Sequence, residues 1–143
     1  MTATEIEAAI PHRAPMLLLD EIVERTDSTI ICRKAFLDSE FFVQGHFPNE
    51  PIVPGVIQCE CCLQAGAVLL EKHMESEPGS VPVATRMDAV KFKRVVRPGD
   101  TVEIHVTLND HVSNAYFLTG KMMLDGKLAA RLDFACTITK TGS

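Results

Sequence analysis

The chain has 143 residues, of which 46% are hydrophobic and 23% charged, and its formal net charge is −5. This size and composition predict one compact domain, residues 1–143, with a substantial core. The acidic balance disfavours a nucleic-acid partner, because phosphate binding needs a basic surface. No apolar run reaches the roughly 18 residues of a membrane span, and the N-terminus lacks the pattern of a secretory signal, so we expect a cytoplasmic protein without a membrane span.

The first part of the chain predicts a short helix followed by two strands. Residues 4–10 can form a helical turn that ends before Pro11, since proline is poorly accommodated inside a helix. Residues 16–25 and 29–36 contain the apolar and β-branched side chains that strands favour, with Asp27-Ser28 as the turn between them.

A helix is predicted next, over residues 55–73. Its apolar residues leave almost no polar face before Glu71, and a helix that is apolar nearly all round is a buried one. A polar loop over 73–80 ends it. Because the rest of the chain is strand-like, we expect a sheet to wrap around this helix.

The second half of the chain predicts antiparallel strands. Residues 102–108 alternate between apolar and polar side chains, which indicates a strand with one buried face and with His105 on the other. The remaining elements are a strand at 81–96, turns at 97–100 and 109–114, a strand at 115–124, a hairpin turn at Asp125-Gly126 and a last strand at 128–138. A long curved sheet around one central helix satisfies these patterns, which gives an α+β class.

The five cysteines, at positions 32, 59, 61, 62 and 136, are expected to be reduced and buried. The cluster of three lacks the spacing of a zinc site, because on a helix Cys59 and Cys61 point about 200° apart. No CxxC pair is present either, so no metal site is predicted. Nothing marks one of these thiols as a low-pKa nucleophile.

The stretch from Gly45 to Gln64, GHFPNEPIVPGVIQCECCLQ, carries side chains capable of acid–base chemistry. His46, which can accept a proton near pH 7, begins a loop that its prolines make stiff. Glu60 is the only charged residue between positions 55 and 70, and Gln64 follows one helical turn later on nearly the same face.

The start of the predicted helix adds a third chemical group. The N–H groups of Gly55 and Val56 can hold developing negative charge, and a glycine lets a ligand approach the backbone closely. A base, an acid and an oxyanion donor are what proton abstraction next to a carbonyl requires. Residue types alone leave the alternative open that His46 is a surface residue and Glu60 a buried structural one. For His12, a second candidate histidine, a place in a structural loop is favoured.

The motif GHFPNEPIVPGV, followed by Glu60 and Gln64, closely resembles the signature of the FabZ-type 3-hydroxyacyl-acyl-carrier-protein dehydratases, which have the hotdog fold. The segments PHRAPMLLLD and MDAVKFKRVVRPGD resemble two further segments of that family, so the resemblance spans most of the chain. The chain departs from the family pattern at Ala14, Met16, Gln58, Val95 and the run 61–63. The resemblance therefore implies the reaction class but neither an acyl-chain length nor a pathway.

The resemblance implies dehydration of a (3R)-3-hydroxyacyl thioester, carried by acyl carrier protein or coenzyme A, to the trans-2-enoyl thioester, without a cofactor. By motif, His46 takes the C2 proton and Glu60 protonates the departing hydroxyl, directly or through a water. The N–H groups of Gly55 and Val56 hold the thioester carbonyl, and Gln64 orients Glu60 or the water. The family also implies a homodimer with the histidine and the glutamate from opposite subunits, and a hexamer of three dimers as a larger alternative.

A basic cluster stands out in this acidic protein and could steer an acidic carrier protein to it; ordinary outward-facing strand residues are an equal alternative. It consists of Lys91, Lys93, Arg94 and Arg97. Phenylalanines could line an acyl tunnel, with core filling favoured for most of them: Phe36, Phe41, Phe42, Phe47 and Phe92. Two other functions remain open, a hotdog acyl-thioesterase and a non-catalytic acyl-binding module.

Overall fold

The computed structural model describes residues 3–46, 49–74 and 79–140. Within these ranges the chain forms two α-helices, one 3₁₀ turn at Glu71–Met74 and six strands. In chain order these are α1 (Ala3–Ala9), β1 (Glu21–Arg25), β2 (Thr29–Ala35), α2 (Gly55–Leu70), β3 (Ser80–Phe92), β4 (Thr101–Val112), β5 (Ala115–Leu124) and β6 (Lys127–Lys140). No helix in the described part of the chain has the length and hydropathy that a membrane crossing needs.

The six strands form one antiparallel sheet in the order β1-β2-β4-β5-β6-β3. The strands β4, β5 and β6 are consecutive hairpins, whereas β3 precedes them in the chain and pairs with the last strand. The strand β3 is therefore an edge of the sheet, and it is the first strand after α2 in the chain. The helix α2 packs on the sheet. The predicted α+β hotdog arrangement, a long helix on a curved antiparallel sheet, is confirmed.

Two glycines allow α2 to lie close to the sheet. A Cβ atom at Gly66 of the helix would stand 2.8 Å from Cζ of Phe134, and one at Gly120 of β5 would stand 2.8 Å from Cβ of Cys62. Both distances are shorter than side-chain contacts allow, so larger residues would push the two layers apart. From Ala65 to Leu70 every residue of the helix is buried, as the apolar sequence predicted.

The prediction of a strand from residue 16 is wrong, because β1 begins only at Glu21. The carbonyl of Met16 and the N–H of Leu18 bind the side chain of Gln64 in α2 and not a neighbouring strand. Residues 17–20 are consequently irregular, although Leu18 and Leu19 are buried.

Two further strand boundaries differ from the prediction. The strand β3 ends at Phe92 and not near residue 96, because the N–H groups of Lys93 and Arg94 both donate to the carbonyl of Ala129 and leave the ladder. The predicted turn at 109–114 is shorter, because β4 continues to Val112 with a bulge after Leu108. The predicted loop over 73–80 is described only in part, since residues 75–78 lie outside the described ranges.

Candidate active site

Glu60 lies on α2 with its carboxylate held by Gln64. The Nε2 group of Gln64 donates to Oε2 of Glu60 at 2.9 Å and to the carbonyl of Met16 at 2.9 Å. The Oε1 atom of Gln64 accepts from the N–H of Leu18 at 2.9 Å. The two backbone contacts fix which end of the amide is oxygen and which is nitrogen, so the amide must present an N–H to Glu60.

Glu60 opens into a small cleft of about 120 Å³. Its polar end is formed by His12, Glu60 and Gln64, and its other walls are mostly apolar: Leu63, Ala67, Pro82, Ala84 and Cys136. Two of these wall residues, Pro82 and Ala84, belong to the edge strand β3. The cleft therefore combines a carboxyl group with an apolar wall at the edge of the sheet.

His12 is the residue of this cleft to which sequence reasoning gave a structural role. Its Nε2 atom lies 3.8 Å from Oε2 of Glu60. The two residues are far apart in the chain, so only the tertiary fold brings them together. A signal existed in the sequence, since His12 lies within the first of the three family-like segments.

His46 ends a series of tight turns and does not line this cleft. The N–H groups of Glu40, Val43 and His46 each donate to the carbonyl three residues earlier. The Nδ1 atom of His46 lies 3.1 Å from the carbonyl oxygen of Ile52. Because a carbonyl can only accept, Nδ1 carries the proton, and Nε2 of the neutral ring keeps a lone pair that can accept one.

Among the residues that the structure describes, no hydrogen bond or ion pair joins His46 to Glu60. Within the described part of the chain, the polar side-chain contacts of Glu60 are with Gln64 and His12. Along the chain, the proline-containing loop lies between His46 and α2, which carries Glu60. Phe47 and Pro48, which the sequence analysis included in this loop, lie outside the described residues.

The N-terminus of α2 lies at Gly55, as predicted. Within the described ranges, the first backbone N–H groups of α2 with a partner are those of Ile57 and Gln58, both on the carbonyl of Pro54. The ring of Phe92 occupies the space beside Gly55. A Cβ atom at position 55 would stand 2.7 Å from Cζ of that ring. Val56 is 75% exposed, so this helix end faces outward.

The five cysteines are free and buried. Burial raises the pKa of Cys136 to about 11 and that of Cys32 to about 12. At neutral pH these thiols are protonated and are therefore poor nucleophiles. No group of three or more His, Cys, Asp or Glu residues in the described ranges is placed to hold a metal ion.

The basic cluster lies at the end of β3 and just beyond it. All four of its side chains are exposed, and none of them forms an ion pair with another described residue.

Among the phenylalanines, Phe36 and Phe42 are buried and stack edge to face in the core. Phe41 and Phe92 are about half exposed.

Replacement by leucine should affect the stability of the protein very differently at the two buried glutamines of α2. Gln64→Leu should lower the free energy of unfolding by about 3 kcal/mol, since it strands the backbone groups of Met16 and Leu18. Gln58→Leu should be nearly neutral, because Oε1 of Gln58 is buried without a hydrogen-bond partner among the described residues and its Nε2 donates only a long bond, of 3.5 Å, to the carbonyl of Val53. Urea unfolding of both variants tests this; an equal loss of stability in the two would contradict it.

Comparisons with known proteins show which family the chain belongs to. A family model described as a FabA-like domain matches residues 10–133. A FabZ 3-hydroxyacyl-[acyl-carrier-protein] dehydratase from Oenococcus oeni is 42% identical over 137 residues, which cover 93% of this chain and 96% of the relative. The FabZ dehydratase of Streptococcus pyogenes serotype M5 is 40% identical over 138 residues, covering 95% of this chain and 99% of the relative.

Two solved structures share the fold at low identity. The dehydratase heterocomplex ApeI:P from Xenorhabdus doucetiae matches with a TM-score of 0.82 and 18% identity, covering 95% of this chain and 91% of that one. The PaaI protein from the phenylacetic acid degradation operon of E. coli matches with a TM-score of 0.67 and 13% identity, covering 82% and 81%. At these identities the two structures show the fold alone.

Proposed function

The chain belongs to the FabA-like family and, within it, to the FabZ 3-hydroxyacyl-[acyl-carrier-protein] dehydratases, and from this premise we infer that it dehydrates (3R)-3-hydroxyacyl-[acyl-carrier-protein] thioesters to trans-2-enoyl thioesters in fatty-acid biosynthesis. The observation that carries the inference is the carboxyl group of Glu60, which Gln64 holds at the polar end of a mostly apolar cleft.

Each chemical step has a group to perform it. The Nε2 lone pair of His46 takes the C2 proton, and the C–H electrons form the double bond between C2 and C3. The C3–O bond breaks, and Glu60 gives the leaving oxygen its proton, so that water departs. The N–H groups of Gly55 and Val56 hold the thioester oxygen as it gains charge, which contributes about 3 kcal/mol. The reaction consists of two proton transfers and the breaking of the C3–O bond, with no net oxidation or reduction, so no cofactor is required.

A second copy of the chain completes the site. The edge strand β3 exposes large apolar side chains, which an isolated chain would leave in water: Val83, Met87, Val90 and Phe92. An unpaired apolar edge is a ready surface for another strand. The cleft of Glu60 borders this edge through Pro82 and Ala84. Pairing there in a homodimer would let the partner supply the base, to which Glu60 has no hydrogen bond or ion pair within the described part of one chain.

The carrier of the substrate docks on the exposed basic cluster. Acyl carrier proteins are acidic, and charge complementarity mainly affects association. Reversing Lys93 and Arg94 to glutamate should raise KM about tenfold for an acyl-carrier-protein thioester and leave KM for a coenzyme A thioester unchanged. The matched control is Lys72→Glu, an exposed lysine of the 3₁₀ turn that precedes β3, whereas the basic cluster lies at the other end of that strand. A rise in KM equal for both carriers would contradict this docking site.

The experiment that tests the proposed function follows absorbance of the conjugated enoyl thioester, starting from 3-hydroxyacyl thioesters of several chain lengths on both carriers. Formation of the enoyl product without free thiol is the expected result. Release of free thiol would identify a thioesterase instead. Binding without any reaction would identify an acyl-binding module, and either outcome would overturn the dehydratase.

A further inference from the structure

His12 lies in a short stretch of chain whose backbone also holds the side chain of Gln64. The Nη1 group of Arg13 donates to the carbonyls of Ile10 and His12 at 2.9 and 2.7 Å, which fixes the backbone around His12. A few residues later, Met16 and Leu18 hold the amide of Gln64. One short stretch of chain thus sets both the orientation of Gln64 and the position of His12 relative to Glu60.

The surroundings of His12 determine which ring nitrogen carries the proton. Its Nδ1 atom is buried and has no hydrogen-bond partner among the described residues. A buried N–H without an acceptor is rarer in folded proteins than an under-used acceptor, so the proton of the neutral ring belongs on Nε2. That nitrogen faces Oε2 of Glu60 within the cleft. His12 is therefore a hydrogen-bond donor directed at the carboxyl group.

The spacing between the two groups fits one additional oxygen atom. At 3.8 Å the contact is too long for a direct hydrogen bond. An oxygen about 2.8 Å from both Nε2 and Oε2 would contact each at normal hydrogen-bond length. The side chains of His12 and Glu60 are 29% and 24% exposed, so a ligand can reach them. We propose, resting on the proposed function, that His12 is a further catalytic residue that binds the substrate hydroxyl at C3.

The assignment gives His12 one defined task. Its Nε2–H donates to the hydroxyl oxygen before reaction and to the water that forms. As the C3–O bond breaks, its electron pair stays on the oxygen and the proton comes from Glu60, so His12 neither gains nor loses a proton. The charge on the oxygen grows during this step, and the hydrogen bond strengthens with it. Such a contact raises kcat more than it lowers KM.

The test compares three substitutions at one position. Glutamine can place an N–H close to the site of Nε2, asparagine reaches only to the site of Nδ1, and leucine has no donor. His12→Leu should lower kcat about 100-fold with KM changed less than about threefold. His12→Asn should behave like His12→Leu, and His12→Gln should stay within about tenfold of wild type. The matched control is His105→Gln on β4, where His105 contacts Glu103 outside the cleft.

The outcomes separate a catalytic role from a structural one. If His12→Gln and His12→Asn lose activity equally and in proportion to a fall in Tm, the role is structural and the assignment is overturned. A fully active His12→Leu beside an active wild type overturns the role of His12 and leaves the dehydratase intact. A wild type that makes no enoyl thioester overturns both.

Discussion

Replacing His46 by alanine or Glu60 by glutamine is expected to lower kcat by about 10³-fold, because each substitution removes a positioned base or acid. Neither change should unfold the protein. His46 is half-buried at the end of its turn series, and a glutamine at position 60 can still accept from Gln64. The rate of enoyl thioester formation measures the loss, and thermal unfolding confirms that the fold is kept.

A variant that combines His46→Ala with Glu60→Gln tests whether the two residues act on the same step. If His46 and Glu60 act on the same elimination, removing both should cost little more than removing the more important one. The matched control is Glu50→Gln, an exposed carboxylate in the same loop, which should keep full activity. Activity above about a tenth of wild type in either single variant would be inconsistent with a positioned acid or base at that residue.

Replacing Glu40 by glutamine is expected to lower the free energy of unfolding by about 3 kcal/mol. The ammonium group of Lys34 is buried in β2 and forms an ion pair with Glu40, whose side chain is only 17% exposed. Asp20, the other carboxylate near Lys34, is 4.0 Å away. Glu40 also accepts from the N–H of Leu37. The substitution leaves a buried positive charge with Asp20 at 4.0 Å and the ring of Phe36 at 5.6 Å as its remaining neighbours, which is more costly than never having had the pair.

The same ion pair anchors the segment that carries His46. The turn bonds run from Leu37 through Glu40 and Val43 to His46, so loosening Glu40 should also lower kcat. Removing both charges with Lys34→Met and Glu40→Gln should restore much of the stability. Urea unfolding measures the effect, with Asp38→Asn on the exposed part of the segment as control. A loss below about 1 kcal/mol for Glu40→Gln would show that the pair is not important.

Local patterns predicted most of the fold. The apolar composition of α2, the alternation along β4 and the Asp125-Gly126 turn, with φ of 51° and 76°, each correspond to what the structure contains. The strand expected from residue 16 failed for a non-local reason, since its backbone groups bind Gln64 on a distant helix. The exposed residues 109–112, three of them polar, resembled a turn, yet 110–112 pair with β5 and Asn109 lies at the bulge.

The residues of the candidate site were also predictable only where they belong to one local motif. A contiguous motif identified His46, Glu60 and Gln64, and the helical spacing of the last two corresponds to a direct hydrogen bond. Proximity between distant segments is not encoded in such a motif. For that reason the contact of His12 with Glu60, the use of the space at Gly55 by Phe92, and the separation of His46 from the cleft emerged only from the structure.

The most direct test of a dehydratase site shared between two chains mixes two inactive variants. His46→Ala and Glu60→Gln proteins are unfolded together, refolded as a mixture and assayed for enoyl thioester formation beside wild type. If each site takes its base from one chain and its acid from the other, the mixed dimers have one intact site, and random pairing restores about a quarter of wild-type activity. A mixture no more active than its parents, beside a refolded wild type that is fully active, would contradict the account.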